Sequence, residues 1–264
     1  MMKQADTPLG RAAIQLGFVA LLLLGWEAGV RFGLISGFLF GQPSGIARNF
    51  WRYTVDGALL YDIWITVYES ILGFVIGTAA GSLLGLALWY SRFVARTVEP
   101  MIVAFNSVPK IAFAPIIILW FGTGLSSKVA LAISLTAIVA LIAAYQAAKE
   151  TDPDLLSLLV TLGASKHQIF YKVVIPSALP GIIATFRINV GFGLVGAVVG
   201  EFISSQRGLG HMIFTASSFY DLDTVWLGLF TLMGIGFALY FIIDIIERHM
   251  LPWKLDQHRA ELHV

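Results

Sequence analysis

The chain reads Asp152-Pro-Asp-Leu-Leu-Ser-Leu-Leu-Val-Thr-Leu-Gly163-Ala-Ser-Lys-His-Gln-Ile-Phe-Tyr-Lys-Val-Val-Ile-Pro176 between two long apolar segments. Asp152 followed by Pro153 predicts the start of a helix, because aspartate caps a helix N-terminus and proline fits its first turn. Gly163 predicts the end of that helix. The leucines between them recur at the spacing of one helical face: Leu155, Leu158, Leu159 and Leu162.

A second helix is predicted directly after this glycine. Ser165 and Gln168 have the spacing of a capping box, in which each side chain bonds the other's backbone. Apolar residues follow at the spacing of a helical stripe, and Pro176 is expected to end the helix. These residues are Ile169, Phe170, Val173 and Val174. The stretch therefore predicts a short helix, a glycine turn and another short helix.

The composition predicts an all-α, polytopic membrane protein. Hydrophobic residues make up 58% of the chain and charged residues 12%, with 26 glycines and a mean hydropathy of +0.82. A DNA-binding helix-turn-helix is disfavoured, because membrane-length apolar segments flank the stretch and the net charge is only +1. The chain has no cysteine, and its five histidines lack ligand spacing, so we expect no metal site and no nucleic-acid partner.

Six candidate spans follow from the hydropathy: about 12–30, 64–90, 100–121, 128–148, 177–203 and 225–247. Ten lysines and arginines lie on the side of the termini and five lie opposite, which predicts cytoplasmic termini and a cytoplasmic loop at 149–176. The first span is expected to be an uncleaved anchor. The predicted organisation is an anchor and extracytoplasmic segment at 1–63, a core at 64–254 and a cytoplasmic tail at 255–264.

Glycines are expected to bring helices close together. Span 2 has a glycine at every fourth position, which leaves one helical face without side chains: Gly73, Gly77, Gly81 and Gly85. Span 5 repeats the pattern less regularly at Gly191, Gly193, Gly196 and Gly200. Two regions, 31–63 and 204–224, are expected on the outer surface, where a soluble protein could contact them.

Two cations are predicted at membrane depth. If span 3 enters at Pro100, Lys110 lies roughly 15 Å deep, and Arg187 has a similar depth in span 5. With the nearby Asn106 and Asn189, they are candidates for a pathway that passes an anion. The alternative is that both cations pair with intramembrane acids such as Glu69 or Glu201, or with backbone carbonyls, and only stabilise the helix bundle.

The chain contains no G-x-x-x-x-G-K-[ST] phosphate loop and no recognisable catalytic set. We therefore expect no cofactor in this chain and no enzyme activity of its own. Two functions remain open for a membrane chain of this kind. One is an autonomous channel or secondary carrier, with Glu27, Glu69 and Glu201 as candidate ion-coupling acids. The other is a membrane-embedded enzyme.

The run Gly163, Val173, Val174, Ile175 and Pro176 resembles the cytoplasmic loop of permease subunits of bacterial binding-protein-dependent ABC importers. In that family the helix before the glycine docks in a groove of the ATPase. The resemblance implies ATPase-coupling residues at Asp152, Pro153, Asp154, Leu155, Leu158, Leu159, Leu162, Gly163, Ala164 and Ser165. The family's acidic-alanine-alanine start is replaced here by Ser157, Leu158 and Leu159.

The runs Val108–Gly122, Ser127-Lys128 and Leu251–Lys254 are similar to the nitrate, sulfonate, taurine and bicarbonate branch of these permeases, although Glu69 stands where a basic residue is common. The resemblance covers about 60–254. It implies a type I importer permease in the bacterial inner membrane that passes a small, anionic solute. The implied partners are two ATP-binding subunits, an extracytoplasmic solute-binding protein, membrane lipid and a second permease copy in a homodimer.

Overall fold

The computed structural model describes residues 8–251, with the side chains of 8, 9 and 11–13 left out. All regular structure in this part of the chain is helical, which confirms the predicted all-α class. The main helices are α1 (Pro8–Arg31), α2 (Gly37–Phe40), α3 (Pro43–Val55), α4 (Ala58–Trp89), α5 (Arg92–Ser107), α6 (Ala114–Phe121), α7 (Leu125–Lys149), α8 (Pro153–Thr161), α9 (Lys166–Ile169), α10 (Ile175–Ala184), α11 (Phe186–Ser204), α12 (Leu209–Ser218) and α13 (Leu222–Met250). The predicted tail at 255–264 and the residues 252–254 lie outside the described part.

Five of these helices are long and apolar enough to cross a membrane, counting only residues that the structure describes. They lie within α1, α4, α7, α11 and α13. The pair formed by α5 and the helical segment Lys110–Phe121 passes the same test together, but it is bent by 85°. The six predicted spans therefore correspond to five straight helices and one bent pair.

The span predicted at 100–121 is a bent pair of helices, and its first helix begins earlier than predicted. Helix α5 begins at Arg92, so Pro100 lies inside it, and the helix ends at Ser107. Val108 is extended because the following Pro109 disfavours the helical conformation in its neighbour, and Pro109 has no N–H to continue the ladder. A 3₁₀ turn at Lys110–Phe113 then leads into α6. The depth predicted for Lys110 along a straight helix does not apply.

The predicted span at 177–203 is also interrupted. Helix α10 ends at Ala184, and the N–H and hydroxyl of the following Thr185 both donate to the Ile182 carbonyl, at 3.1 and 2.6 Å. This bonding closes a tight turn in place of a continuing α-helical ladder. The membrane-length part begins at Phe186, so Arg187 lies in its first turn.

Pro176 does not end the second helix of the punctuated stretch. A π-helical segment, Phe170–Val174, lies immediately before it, and the Ile175 N–H donates to the Phe170 carbonyl five residues back. The wider π turn relieves the clash that a proline ring makes with the carbonyl four residues earlier. The chain therefore continues from α9 into α10 without a loop.

The described residues form two compact units. The first comprises the described parts of residues 1–62 and 212–231, and the second those of 63–211 and 232–264. The first unit therefore combines two separate stretches of the sequence.

In the first unit, a carboxylate ties α3 to the start of α13. Asp223 accepts the Gln42 N–H at 2.7 Å, and a Cβ at Gly45 would overlap the same carboxylate. The Asn49 amide donates to Thr224 at 2.9 Å. Helix α3, which lies in the region expected on the outer surface, is therefore anchored to α13.

Close packing of α4, α7 and α11 forms the core of the second unit. A Cβ at Gly77 or Gly81 would overlap Thr136 or the Ala137 carbonyl of α7. A Cβ at Gly196 would lie 2.5 Å from the Cα of Ala132, and one at Gly73 would overlap the same alanine. Ala132 is completely buried between α4 and α11. The predicted close contact of the glycine faces is confirmed.

Candidate coupling segment and polar sites

Helix α8 begins as the sequence predicts. The Asp152 carboxylate accepts the Asp154 N–H at 2.8 Å, and Pro153 occupies the first turn. The N-terminal amides of a helix lack partners inside the helix, and an aspartate cap satisfies one of them. Asp154 adds a second negative charge in the first turn, where it interacts favourably with the helix dipole.

Gly163 ends α8 in a Schellman motif. Its N–H donates to the Val160 carbonyl and the Ala164 N–H donates to the Leu159 carbonyl, both at 3.0 Å. Gly163 has a φ of +79°, which is accessible to glycine and strained for other residues. The space around it is open, so its requirement for glycine is conformational and not steric.

The predicted capping box at the start of α9 is present. The Ser165 N–H donates to the Gln168 side chain at 2.8 Å, and the Gln168 N–H donates to the Ser165 hydroxyl at 3.3 Å. Directly after it, Ile169, Phe170 and Val174 are buried against Ala144 and Ala148 of α7. The segment that follows the glycine turn is therefore buried against the long helix α7.

The leucines predicted to share one face of α8 divide into two groups. Leu159 packs with Leu156 against the cluster around Phe170. Leu155, Leu158 and Leu162 point away from it and are 41%, 55% and 73% exposed. One side of α8 thus packs against the rest of the protein, and a second apolar side is exposed. This outward side, Leu155, Leu158 and Leu162, is called the leucine face below.

Of the predicted pathway residues, Asn106 and Lys110 lie together. The Lys110 ammonium donates to the Asn106 side chain at 3.0 Å, across the bend between α5 and the 3₁₀ turn. Among the described residues, no carboxylate lies within ion-pair distance of Lys110.

Arg187 and Asn189 lie in a different environment. Arg187 bridges Asp244 and Glu247 of α13 at 2.5 and 2.7 Å and also reaches the Tyr240 hydroxyl at 3.4 Å. Asn189 is completely buried and donates to Thr78 of α4 and to the Thr136 carbonyl of α7. These contacts favour the structural alternative for Arg187, although its acid partners are Asp244 and Glu247 and not Glu69 or Glu201. The hydrogen bonds of Asn189 join α11 to α4 and α7.

A buried charged cluster of Glu69, Lys128 and Glu201 was not predicted. The two carboxyl groups contact each other, and Lys128 supplies a positive charge beside both. Glu201 accepts the Thr66 hydroxyl and the Gly210 N–H, each at 2.7 Å, so it caps the beginning of α12. The sequence identifies Glu69 and Glu201 as intramembrane acids, but no local sequence pattern predicts that they lie beside Lys128.

Glu69 and Lys128 also line a cavity of about 580 Å³ together with Thr123 and Arg207. One oxygen of Glu69, Oε2, is buried without a hydrogen-bond partner in the described structure. The Lys128 ammonium donates to the Thr123 carbonyl at 3.0 Å, and its stem packs against Gly200. The cavity therefore has an acidic and a basic wall.

Several curated proteins are similar to this chain over most of its length. The formylaminopyrimidine transport permease ThiX of Halalkalibacterium halodurans is 34% identical, covering 91% of this chain and 95% of that protein. The riboflavin transport system permease RibX of Chloroflexus aurantiacus is 32% identical, covering 89% and 87%. The taurine transport system permease TauC of Escherichia coli is 28% identical, covering 93% and 92%. The interpretation as a non-catalytic permease subunit is confirmed, and that of an autonomous carrier is not favoured.

Solved structures share the fold. A chain of the inward-facing MetNI methionine ABC transporter matches with a TM-score of 0.66 at 21% identity, covering 74% of this chain and 97% of that chain. A bacterial ABC transporter for import of the polysaccharide alginate matches with a TM-score of 0.62 at 15% identity, covering 94% and 98%. The predicted type I importer permease fold is confirmed.

The family model for the inner membrane component of binding-protein-dependent transport systems matches residues 73–252. This range contains the glycine face of α4, the bent pair, α8 with its glycine turn, and α11. The chain belongs to the family of inner membrane permease components of binding-protein-dependent ABC importers.

Proposed function

We propose that α8 couples this permease to an ATP-binding subunit through its leucine face. The observation that carries this proposal is that two leucines of the nine-residue helix and the leucine at its C-cap are exposed, while the other side of the helix is packed. An apolar helix face that remains outside the core is typical of a helix that docks in a hydrophobic groove. Burial of such leucines in a partner contributes about 1.5 to 3 kcal/mol for each side chain.

The attachment of α8 supports transmission of movement. The Schellman motif and the capping box leave only two residues, Gly163 and Ala164, between Leu162 and the cap Ser165. The π-helical segment then joins α9 to α10 without a loop, and its side chains pack on α7. A displacement of α8 by a partner therefore acts on two long elements of the permease at once.

The proposed assembly contains two ATP-binding subunits, a second copy of this chain and an extracytoplasmic solute-binding protein. The permease lies in the bacterial cytoplasmic membrane, with both termini and α8 on the cytoplasmic side, where ATP is available. The excess of lysine and arginine on that side supports this orientation. ATP is held by the partner.

The proposed solute is a small anion such as a sulfonate, nitrate, taurine or bicarbonate, and Asn106 and Lys110 are the residues of the pathway that support it. Lys110 has an amide and no carboxylate beside it in the described structure. An ammonium within an apolar, membrane-length helix pair that lacks an acid partner is a functional candidate. For Arg187 and Asn189 we propose a structural role, because their hydrogen bonds join α11 to α13 and to α4 and α7.

Lys110→Ala tests the pathway role. In a reconstituted complex, we expect uptake of an anionic solute to fall about tenfold, which corresponds to the loss of roughly one favourable charge interaction of about 1.4 kcal/mol. Uptake of a neutral solute of the same size should change less than twofold. Equal loss for both solutes would contradict the pathway role.

The docking proposal is tested by the double variant Leu155→Glu/Leu158→Glu. Both positions are exposed, so the permease should still fold and insert, while two charges in the leucine face should prevent docking in an apolar groove. We expect at least a tenfold loss of ATP-binding subunit in affinity purification of tagged permease from mild detergent.

The matched control is Thr161→Glu. It adds a carboxylate to the same helix at an exposed residue outside the leucine face. The control should retain the ATP-binding subunit. Normal retention by the double variant, or equal loss in the control, would contradict docking through the leucine face.

A further inference from the structure

A second cavity, of about 990 Å³, lies beside α8 where two membrane-length helices end. Trp89 and Tyr90 close α4, and Tyr145 and Lys149 lie in the last turns of α7. Aromatic and basic residues at the ends of membrane spans are typical of the interface between hydrocarbon and water. The cavity is therefore at the level of lipid headgroups. It is called the interfacial cavity below.

The interfacial cavity has a strongly basic wall. Four cationic side chains line it against one acidic side chain, Glu99: Arg92, Arg96, Lys149 and Lys166. The Glu99 carboxylate is 3.9 Å from the Lys149 ammonium, so it compensates at most part of this charge. Lys149 and Lys166 lie over the rings of Tyr145 and Tyr90, at 5.7 and 5.2 Å, which keeps both ammonium groups at the wall.

Two uncharged groups also favour an anion here. Thr151 is 5% exposed and lines the interfacial cavity, and its hydroxyl has no hydrogen-bond partner in the described structure. Buried hydroxyls without a partner are rare in native proteins. Ser91 and Arg92 form the N-terminus of the 16-residue helix α5, where backbone N–H groups and the helix dipole attract negative charge.

The remaining wall is apolar. It is formed by Leu156 and Val160 of α8 together with Trp89 and Ile169. A free inorganic anion would gain nothing from these side chains, whereas a lipid presents a charged headgroup joined to hydrocarbon. The position at the ends of two spans makes the cavity reachable from the bilayer.

We propose that the interfacial cavity binds the phosphate headgroup of an anionic phospholipid from the leaflet on the side of α8. The basic side chains, the Thr151 hydroxyl and the start of α5 contact the phosphate, and the apolar wall contacts the upper part of the acyl chains. Because Pro153, Leu156 and Val160 belong to this wall, the bound lipid stabilises the position of α8. This binding does not depend on the identity of the transported solute.

The test uses the transporter complex purified from mild detergent, with bound lipids measured by native mass spectrometry after incubation with equal amounts of phosphatidylglycerol and phosphatidylcholine. We expect selective retention of phosphatidylglycerol. Arg92→Gln/Arg96→Gln should lower that retention about tenfold, because each basic residue near an anionic surface contributes measurably to binding. Thr151→Val, which keeps the side-chain shape, should lower it about threefold.

The matched control is Arg48→Gln/Arg52→Gln. These two exposed arginines have the same spacing of four residues on one helix, α3, and do not line the interfacial cavity. The control should retain phosphatidylglycerol as the unmodified protein does. Equal loss in both double variants, no preference over phosphatidylcholine, or unchanged retention in Thr151→Val together with Arg92→Gln/Arg96→Gln would overturn the proposal.

A competition experiment distinguishes binding of a lipid from binding of a free anion. Inorganic phosphate at ten millimolar should not displace phosphatidylglycerol, because it lacks the hydrocarbon that contacts Leu156 and Val160. Complete displacement would identify a site for free phosphate and would overturn the lipid assignment.

Discussion

Single residues at the ends of α8 determine how this segment can act. Asp152 satisfies an N-terminal amide, and Gly163 takes the positive φ that the Schellman motif requires. Both were predictable from the sequence because caps and glycine turns depend on neighbours within a few positions. The partners of Arg187 were not predictable in this way, since Glu247 lies 60 residues further along the chain.

Gly163→Val should uncouple the transporter. A β-branched residue at a φ of +79° costs roughly 1 to 2 kcal/mol and opposes the turn that fixes α8 to α9. We expect solute-stimulated ATPase activity and uptake in proteoliposomes to fall about tenfold, with normal membrane insertion. Gly33→Val is the control, because Gly33 has a φ of +72° and equally open surroundings outside this segment. Full activity of Gly163→Val would contradict a role for the turn.

At the scale of elements, glycine faces and helix breaks determine the core of the second unit. The glycine spacing in α4 was sufficient to predict close helix contact, but it did not identify α7 as the neighbour. The π turn before Pro176 was missed because that proline was interpreted as a helix terminator, and the break at Thr185 was missed because the span was drawn from hydropathy alone. A local change from the α-helical to another helical hydrogen-bond pattern still satisfies the backbone N–H and C=O groups. Hydropathy does not detect such a change.

Gly81→Leu should prevent stable assembly of this core. A Cβ at this position would overlap the Ala137 carbonyl, and backbone groups of two packed helices cannot move apart without loss of their other contacts. We expect a destabilisation of at least about 3 kcal/mol, visible as aggregation in size-exclusion chromatography with a fluorescent fusion. Gly191→Leu on α11, where the surrounding space is open, should remain monodisperse. A monodisperse Gly81→Leu protein would contradict the packing of α4 on α7.

For the whole molecule, hydropathy was sufficient to predict the number of candidate spans and the all-α class. It could not detect the 85° bend between α5 and the segment after Pro109, because a bent pair has the same composition as a straight span. The cluster of Glu69, Lys128 and Glu201 required the fold, since its members come from α4, α7 and α11. The orientation in the membrane and the docking partner of α8 remain predictions that rest on charge distribution and on the leucine face.

Site-specific photo-crosslinking in cells tests these predictions most directly. A photoreactive amino acid replaces Leu158 on α8 in one variant and Trp51 on α3, which is also exposed, in another. We predict that position 158 crosslinks to an ATP-binding subunit on the cytoplasmic side and that position 51 does not. Crosslinking of position 158 to an extracytoplasmic protein, or of position 51 to the ATP-binding subunit, would contradict ATP-driven coupling through α8.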